Sequence, residues 1–341
     1  MGAAPIMKST TATTARARLV DGFGRAIEYV RLSVTDRCNL RCFYCLPRGV
    51  RRLSEPDHWL RFGEIERLMR AFAVLGVQRL RLTGGEPLVR ARLPELVARL
   101  SVLPGITDVS LSTNATLLAD YAEPLRRAGV TRLNVSLDSL KPERFREITG
   151  GRLEPVLDGL MAARRAGFDW IKINMLALKG VNDDEFTDMV EFCAAHGFTL
   201  RFIEVMPVGR PGVEASRHYL DLRAVKARLA ERFDLIPGVV PGGGPARYVR
   251  VRGTDLHIGF ITPMSQHFCD SCNRVRLSVD GTLHLCLGQD HSVALRPLLR
   301  AGASDADLQA AIRDAVRAKP ARHEFRERPG QIVRFMAMTG G

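Results

Sequence analysis

Tyr29-Val30-Arg31-Leu32-Ser33-Val34-Thr35 alternates as a β-strand does and runs straight into Asp36-Arg37-Cys38-Asn39-Leu40-Arg41-Cys42-Phe43-Tyr44-Cys45. Three thiols fall within eight residues, spaced C-x3-C-x2-C, on a loop at the strand's C-terminal end. A structural zinc site takes four protein ligands, and no fourth Cys or His lies near in sequence. A cubane [4Fe-4S] cluster has four irons, usually held by four thiolates, so three thiolates leave one iron open to a small molecule. Tyr44 sets an aromatic ring beside that open position. Zinc, or three unrelated buried thiols, are the other readings of the spacing.

Downstream of this loop, strand-like and helix-like patterns alternate. Apolar residues recur at helical spacing over Phe62–Leu75, and Gln78–Leu82 alternates as a strand that enters Thr83-Gly84-Gly85-Glu86-Pro87. Helices are expected over 92–103, 118–127, 153–166, 183–196 and 222–232, with Asn182 or Asp183 as an N-cap. Strands are expected over 108–112, 132–138, 170–176 and 199–206. Strict alternation argues for a parallel sheet with helical crossovers. Six such units suit a partial (β/α)6 barrel of the TIM type, with an open doubly wound sheet as the alternative. In both, polar groups at the strands' C-terminal ends converge on one face. From about Phe233 the pattern changes to a Gly/Pro linker, short strands, two helices and an irregular end at Gly340-Gly341.

The chain of 341 residues, 46% of them apolar, is long enough for a barrel and an appended domain. No apolar run reaches the ~18 residues of a membrane span. Residues 1–18 are rich in Thr, Ala and Arg without acids and read as a disordered tail. Two groups of three Cys with Cys193 left over do not look like a disulfide framework and fit metal sites in a reducing compartment. Cys193 reads as a small core residue. The net charge of +13 rests largely on Arg, only six of the bases being Lys. Arg presents a fork matched to phosphate. The Arg are spread along the chain, so a nucleic acid and a highly charged small substrate are equally compatible.

A second triplet, Cys269-x2-Cys272-x13-Cys286, again lacks a fourth thiol. Zinc competes more strongly here, because His267, His284 or His291 offers a fourth ligand. Arg274 and Arg276 alternate on a strand and share a face, as an anion site or a solvated sheet face. Gly84 and Gly85 allow close approach of a ligand, and Glu86 offers a carboxylate to an ammonium. Arg31 and Arg81 either face inwards to phosphate or are ordinary barrel residues. Lys172, in an apolar strand, needs a partner.

The first Cys triplet, with an aromatic residue before its last Cys, resembles the signature of the radical S-adenosylmethionine (SAM) superfamily. Together with Asp21–Arg25, Arg31–Asn39, Arg81–Pro87, Asn134–Asp138, Arg201–Pro207, Cys269–Arg276 and the Gly340-Gly341 end, it resembles the GTP 3',8-cyclase family, also called molybdenum cofactor biosynthesis protein A. The likeness covers about residues 19–341. It implies that Cys38, Cys42 and Cys45 hold a SAM-binding [4Fe-4S] cluster, with Tyr44, Gly85, Glu86, Ser136 and Met206 around SAM. It implies that Cys269, Cys272 and Cys286 hold an auxiliary [4Fe-4S] cluster. Arg31, Arg81, Ser112, Lys172, Arg274, Val275 and Arg276 would bind GTP, and Arg201, Gly340 and Gly341 would serve the chemistry. Ala115 departs from the family, which more often has Gly there; Ser112 stands where Thr is also common.

The implied reaction is a lyase-type radical cyclisation. A 5'-deoxyadenosyl radical takes hydrogen from C3' of GTP, and C3' attacks guanine C8. The product is (8S)-3',8-cyclo-7,8-dihydroguanosine 5'-triphosphate, in the first step of molybdenum cofactor biosynthesis. The family implies a cytoplasmic enzyme, an electron donor such as flavodoxin or ferredoxin, and a downstream cyclic pyranopterin monophosphate synthase. A homodimer is compatible with it, and neither membrane nor nucleic acid is expected as a partner. The domains expected are a tail (1–18), a radical SAM barrel (19–235) and a C-terminal auxiliary-cluster and GTP-binding domain (236–341). Two other functions compete: a radical SAM enzyme with an auxiliary cluster acting on a peptide, and a zinc module binding nucleic acid.

Overall fold

The computed structural model describes residues 18–46 and 56–340. Residues 1–17 of the expected tail, most of the loop after Leu46, and Gly341 lie outside the described residues. Strand β1 (Tyr29–Ser33) leads to helix α1 (Phe62–Val74), followed by β2 (Arg79–Thr83), α2 (Leu93–Ser101), β3 (Asp108–Thr113) and α3 (Leu118–Ala128). Next come β4 (Arg132–Ser136), α4 (Pro142–Thr149), α5 (Glu154–Arg165), β5 (Ile171–Ala177), α6 (Phe186–His196) and β6 (Thr199–Glu204). Helices α7 (Gly209–Ala215) and α8 (Leu222–Ala230) precede β7 (Leu235–Gly238), β8 (Arg247–Val251) and β9 (His257–Ile261). The chain ends with β10 (Arg274–Leu277), β11 (Thr282–His284), β12 (Ser292–Ala294), α9 (Arg296–Arg300), α10 (Asp305–Arg317) and α11 (Met336–Thr339).

All twelve strands among the described residues belong to one sheet, ordered β12-β11-β10-β1-β2-β3-β4-β5-β6-β9-β8-β7. Strands β1 to β6 lie parallel and in sequence order, as the alternation requires. The sheet is not closed, so the barrel is partial. The C-terminal segment does not build a separate sheet. It adds β10 in parallel beside β1 and β9 in parallel beside β6, and hangs antiparallel pairs outside both.

Strand parity separates core from site, because successive side chains point to opposite faces. In β1, Val30 and Leu32 enter the apolar core, whereas Tyr29 and Arg31 line the inner cavity. Helices α1, α2, α3, α5 and α6 bury Leu68, Phe72, Leu96, Leu125, Leu160 and Met189 in that same core, as does Cys193. Helix α10 starts at a capping box, with Ser304 Oγ accepting from Asp307 N at 3.2 Å, and packs on α1. No described helix is long and apolar enough to cross a membrane.

Three local expectations are corrected. The helix expected from Asp183 starts only at Phe186, with Glu185 at its N-cap position. Asn182 is not a cap: its buried amide donates to Asp138 O and Leu176 O and accepts from Leu178 N, tying β4 to β5. A helix not expected, α4, occupies Pro142–Thr149; Pro142 sits at its start, where a missing N–H costs nothing. The Gly/Pro linker begins as an edge strand, β7, that tolerates Pro237 because its outer side has no partner strand.

Candidate active site between two cysteine triplets

The first triplet lies where the loop after β1 is clamped from two sides. Arg41 N and Phe43 N donate to Thr149 O and Ile148 O at 2.7 and 3.0 Å, at the end of α4. On the other side, Gly85 N donates to Thr35 O at 2.9 Å and Glu86 N to Arg37 O at 2.7 Å. A Cβ on Gly84 would stand 2.2 Å from Thr35 O, and one on Gly85 2.1 Å from Arg37 O. The two glycines are therefore demanded by the cysteine loop's own backbone. Leu40 N reaches Cys38 Sγ at 3.4 Å and Asn114 Nδ2 reaches it at 3.8 Å.

Burial pushes the Cys38 thiol up to about 11 and Cys45 to about 12, and Cys42 well above its usual value. Neighbouring thiols raise Cys42 and Cys45 further, so the three sulfurs face a common space. Such buried thiols favour a bound cation over free thiolate charge. Neither triplet, however, brings its three sulfurs within 4.8 Å of one another. On a single tetrahedral zinc with 2.3 Å bonds they would lie roughly 3.8 Å apart. The wider spacing, with three thiols and no fourth, fits a multi-iron cluster better than one ion.

Tyr44 donates its hydroxyl to Asp138 Oδ2 at 2.5 Å, and Asp138 Oδ1 accepts from Leu176 N at 2.8 Å. Burial lifts Asp138 to about 6. Glu86 is buried and lifted to about 7 by burial, yet it accepts from Leu88 N, Thr113 Oγ1 and Asn114 N at 3.0, 2.7 and 2.6 Å. Its carboxylate thus clamps the end of β3 to the loop after β2. Ser136 ends β4 with an exposed side chain.

Register assembles the cations. Arg276, Arg31, Arg81 and Ser110 lie in one row across β10, β1, β2 and β3. Ser112, Asn134 and Lys172 form another across β3, β4 and β5. Arg31, Arg81, Arg201, Arg274, Arg276, Val275 and Met206 line one cavity together with Cys272 and Cys286. Lys172 lies at the adjoining floor with Arg79, Arg132 and Tyr248. Its partner, illegible in sequence, is Tyr248, whose hydroxyl is 3.5 Å from Nζ. Arg201 donates to Asn134 Oδ1 at 2.5 Å.

This crowd of like charge is visible in the acidities. Burial, then Arg276 and Arg81, hold Arg31 well below its ordinary value. Burial, then Arg274 and Arg334, bring Arg276 to about 9. Burial, then Arg201, Arg132 and Arg81, bring Lys172 to about 7. Arg31 Nε, Arg201 Nε, Arg274 Nε and Ser112 Oγ are buried with no hydrogen-bond partner in the protein. Buried charge and unpaired donors are costly unless a counter-charge meets them. A polyanion satisfies both.

Beside the cavity sits the second triplet. Arg25, ion-paired to Asp21 at 2.6 Å, donates to Cys269 O at 2.8 Å, and Arg334 donates to Cys286 O at 2.8 Å. Burial raises the Cys272 thiol, but Lys319 and Arg274 outweigh it and bring it below its usual value. The C-terminal segment joins the two triplets. A backbone hydrogen bond from Ala337 reaches Cys45, while Arg276 donates to Thr339 O at 3.1 Å and to Gly340 O. Gly340 has φ 75°, and a Cβ there would stand 2.1 Å from Thr83 Cγ2. Sequence reasoning missed Tyr248, Lys319 and Arg334, and the pairing of Asp138 with Tyr44; among these Lys319 alone carried a signal, as a rare Lys in an Arg-rich chain.

The sequence and the fold are also similar to those of known proteins. The Radical SAM superfamily model matches residues 32–193, and Molybdenum Cofactor Synthesis C matches 198–325. The chain is 48% identical over 338 residues to a GTP 3',8-cyclase of Paracoccus denitrificans, covering 97% of this chain and 98% of the relative. It is 48% identical over 326 residues to GTP 3',8-cyclase 1 of Pseudomonas aeruginosa, covering 94% and 99%. Among solved structures, Streptococcus suis SuiB bound to S-adenosylmethionine superposes with TM-score 0.61 at 17% identity, over 85% of this chain and 68% of that one. SuiB bound to its precursor peptide SuiA gives 0.61 at 16%, over 86% and 65%, so the chain spans about two thirds of SuiB. At these identities the likeness concerns the fold.

Proposed function

Because the chain belongs to the GTP 3',8-cyclase family of radical SAM enzymes, we propose that its inner cavity holds GTP between two iron–sulfur clusters. The protein is a lyase that cyclises GTP to (8S)-3',8-cyclo-7,8-dihydroguanosine 5'-triphosphate, the first step of molybdenum cofactor biosynthesis. The observation that carries the site reading is the ring of buried and half-buried cations. Arg31, Arg81, Arg201, Arg274 and Arg276, with Lys172 at the floor, surround one cavity and leave donors unpaired.

In this reading Cys38, Cys42 and Cys45 hold the SAM cluster, and Cys269, Cys272 and Cys286 an auxiliary one. When bound, the first cluster supplies the electron that splits SAM to a 5'-deoxyadenosyl radical. Tyr44, fixed by Asp138, together with Gly85, Ser136 and Met206, lies around SAM; Glu86 sets the loop that faces its amino group. The guanidinium groups and Lys172 neutralise the triphosphate, with Ser112 and Val275 completing the pocket. Arg201 and Gly340 flank the reacting ribose, and Gly341, outside the described residues, is assigned to the same role. The residues' contribution is orientation and exclusion of water, since the cofactors carry the hard chemistry.

We divide the functional units at about 235, with cluster one on the barrel and the auxiliary cluster on the C-terminal part. An electron donor of the flavodoxin or ferredoxin kind and a synthase that consumes the product follow from the reaction, and free thiols in this number suit the reducing cytoplasm. The test is anaerobic incubation of reconstituted protein with GTP, SAM and reductant. Cyclised nucleotide and 5'-deoxyadenosine in step are expected; SAM cleavage indifferent to GTP would refute the reading.

A further inference from the structure

His267, Cys269 and His323 offer one ligand atom each, all within 4.8 Å of one another. Among the described residues this is the one group of three His, Cys or carboxylate side chains so close. His267 Nδ1 and His323 Nε2 stand 3.4 Å apart. That is long for a hydrogen bond. It matches the edge of a tetrahedral zinc site, about 3.3 Å for bonds of 2.0–2.1 Å. The sulfur edge in such a site is about 3.6 Å, a closure that side-chain rotation supplies.

The surroundings suit a cation. His323 is buried, and its ring lies 4.9 Å centre to centre from that of His267. His267 is exposed, which gives an ion a way in and leaves room for a water at the fourth position.

We propose that His267, Cys269 and His323 form a three-ligand site for a thiophilic divalent cation of the zinc type. Cys269 is shared with the proposed auxiliary cluster, so by that reading the two metal sites exclude each other. A divalent ion that arrives first withdraws one of the three thiolates, and the second cluster cannot be completed.

The test uses the full chain, purified without iron, carrying Cys38→Ala, Cys42→Ala and Cys45→Ala to remove the other thiols. Co2+ serves as the probe for zinc. One Co2+ per chain with thiolate-to-cobalt absorption and a tetrahedral spectrum is expected. His267→Ala and His323→Ala should each weaken it about tenfold or more, while Cys272→Ser and Cys286→Ser leave it unchanged. Absence of the thiolate band overturns the proposal, as does loss of binding in Cys272→Ser and Cys286→Ser with the histidine variants unaffected. In the wild-type chain, zinc added before reconstitution should cut iron uptake to roughly half of eight atoms, and His323→Ala should restore it. Iron uptake indifferent to zinc overturns the exclusion, whereas half-loading without any zinc would instead discredit the auxiliary cluster itself.

Discussion

Gly340→Ala is a one-methyl change whose effect can be worked from the structure. At φ 75° an L side chain sits in the left-handed region, at a cost of roughly 1–2 kcal/mol. The added Cβ would also stand 2.1 Å from Thr83 Cγ2 and 2.5 Å from its Oγ1, and overpacking of that kind costs about 1–3 kcal/mol. The sum is about 2–5 kcal/mol. It falls on a four-residue helix held by Arg276, Ala337 and Thr339, which can lift off without unfolding the sheet. At a factor of ten per 1.4 kcal/mol, the docked fraction should fall about 30- to several thousand-fold relative to the undocked. Hydrogen exchange over the last ten residues should show lost protection, while Tm of the whole chain stays put. Product formation should collapse with the clusters intact. Thr83→Ala in the same chain should recover part of the docking, because it removes the two closest contacts but leaves the residue's Cβ at 2.8 Å and the backbone strain. Unchanged protection of the tail together with a normal yield of cyclised GTP would refute this account.

Cys42→Ser should abolish 5'-deoxyadenosine formation; cleavage at the wild-type rate would remove Cys42 from the cluster. Deleting Gly340 and Gly341 should leave SAM binding and both clusters nearly unchanged and lose the cyclised nucleotide, with normal yields of product and deoxyadenosine as the contrary result. Arg274→Ala should weaken GTP about tenfold or more, at ~1.5–3 kcal/mol per charged hydrogen bond, and scarcely touch guanosine; Arg276→Ala should in addition loosen the tail, as exchange would report. Lys172, held near 7 in the free protein, is charged below that pH and neutral above it, while a triphosphate favours the ammonium. GTP affinity should therefore fall as pH rises above 7, about tenfold per unit until the bound-state pKa is reached. Calorimetry in that range avoids the phosphate's own titration near 6, and a slope that survives in Lys172→Met would assign the proton elsewhere.

The alternation from Tyr29 to Glu204 was enough to place six parallel strands, because each unit's pattern is local. What lay beyond was non-local. Strands β9 and β10 are too short to announce partners, and each joins the parallel sheet beside a strand far away in sequence. Asn182 has the composition of an N-cap, but its amide can also bridge three backbone groups, and only the packed loop decides. The two cysteine triplets stood out by spacing, and Arg274 with Arg276 by parity. Tyr44 with Asp138, and Lys172 with Tyr248, are pairs 94 and 76 residues apart that no pattern along the chain announces. Glu86 was expected to face an ammonium; that its oxygens also accept from Leu88 N, Thr113 Oγ1 and Asn114 N no pattern along the chain announced.

The pairing of β1 with β10 also sets an order of events during synthesis. The outer edge of β1 has no partner until about 240 residues later in the chain. At roughly 5–20 residues per second, that edge stays open for some ten to fifty seconds on the ribosome. An unpaired edge invites wrong pairing. The first three thiols are therefore made early, on an unfinished sheet, whereas Arg274, Arg276 and the second thiol set arrive together near the end. Iron delivered to a nascent chain would meet one cluster's ligands on a half-built wall, so correct loading favours a donor that waits for the released protein.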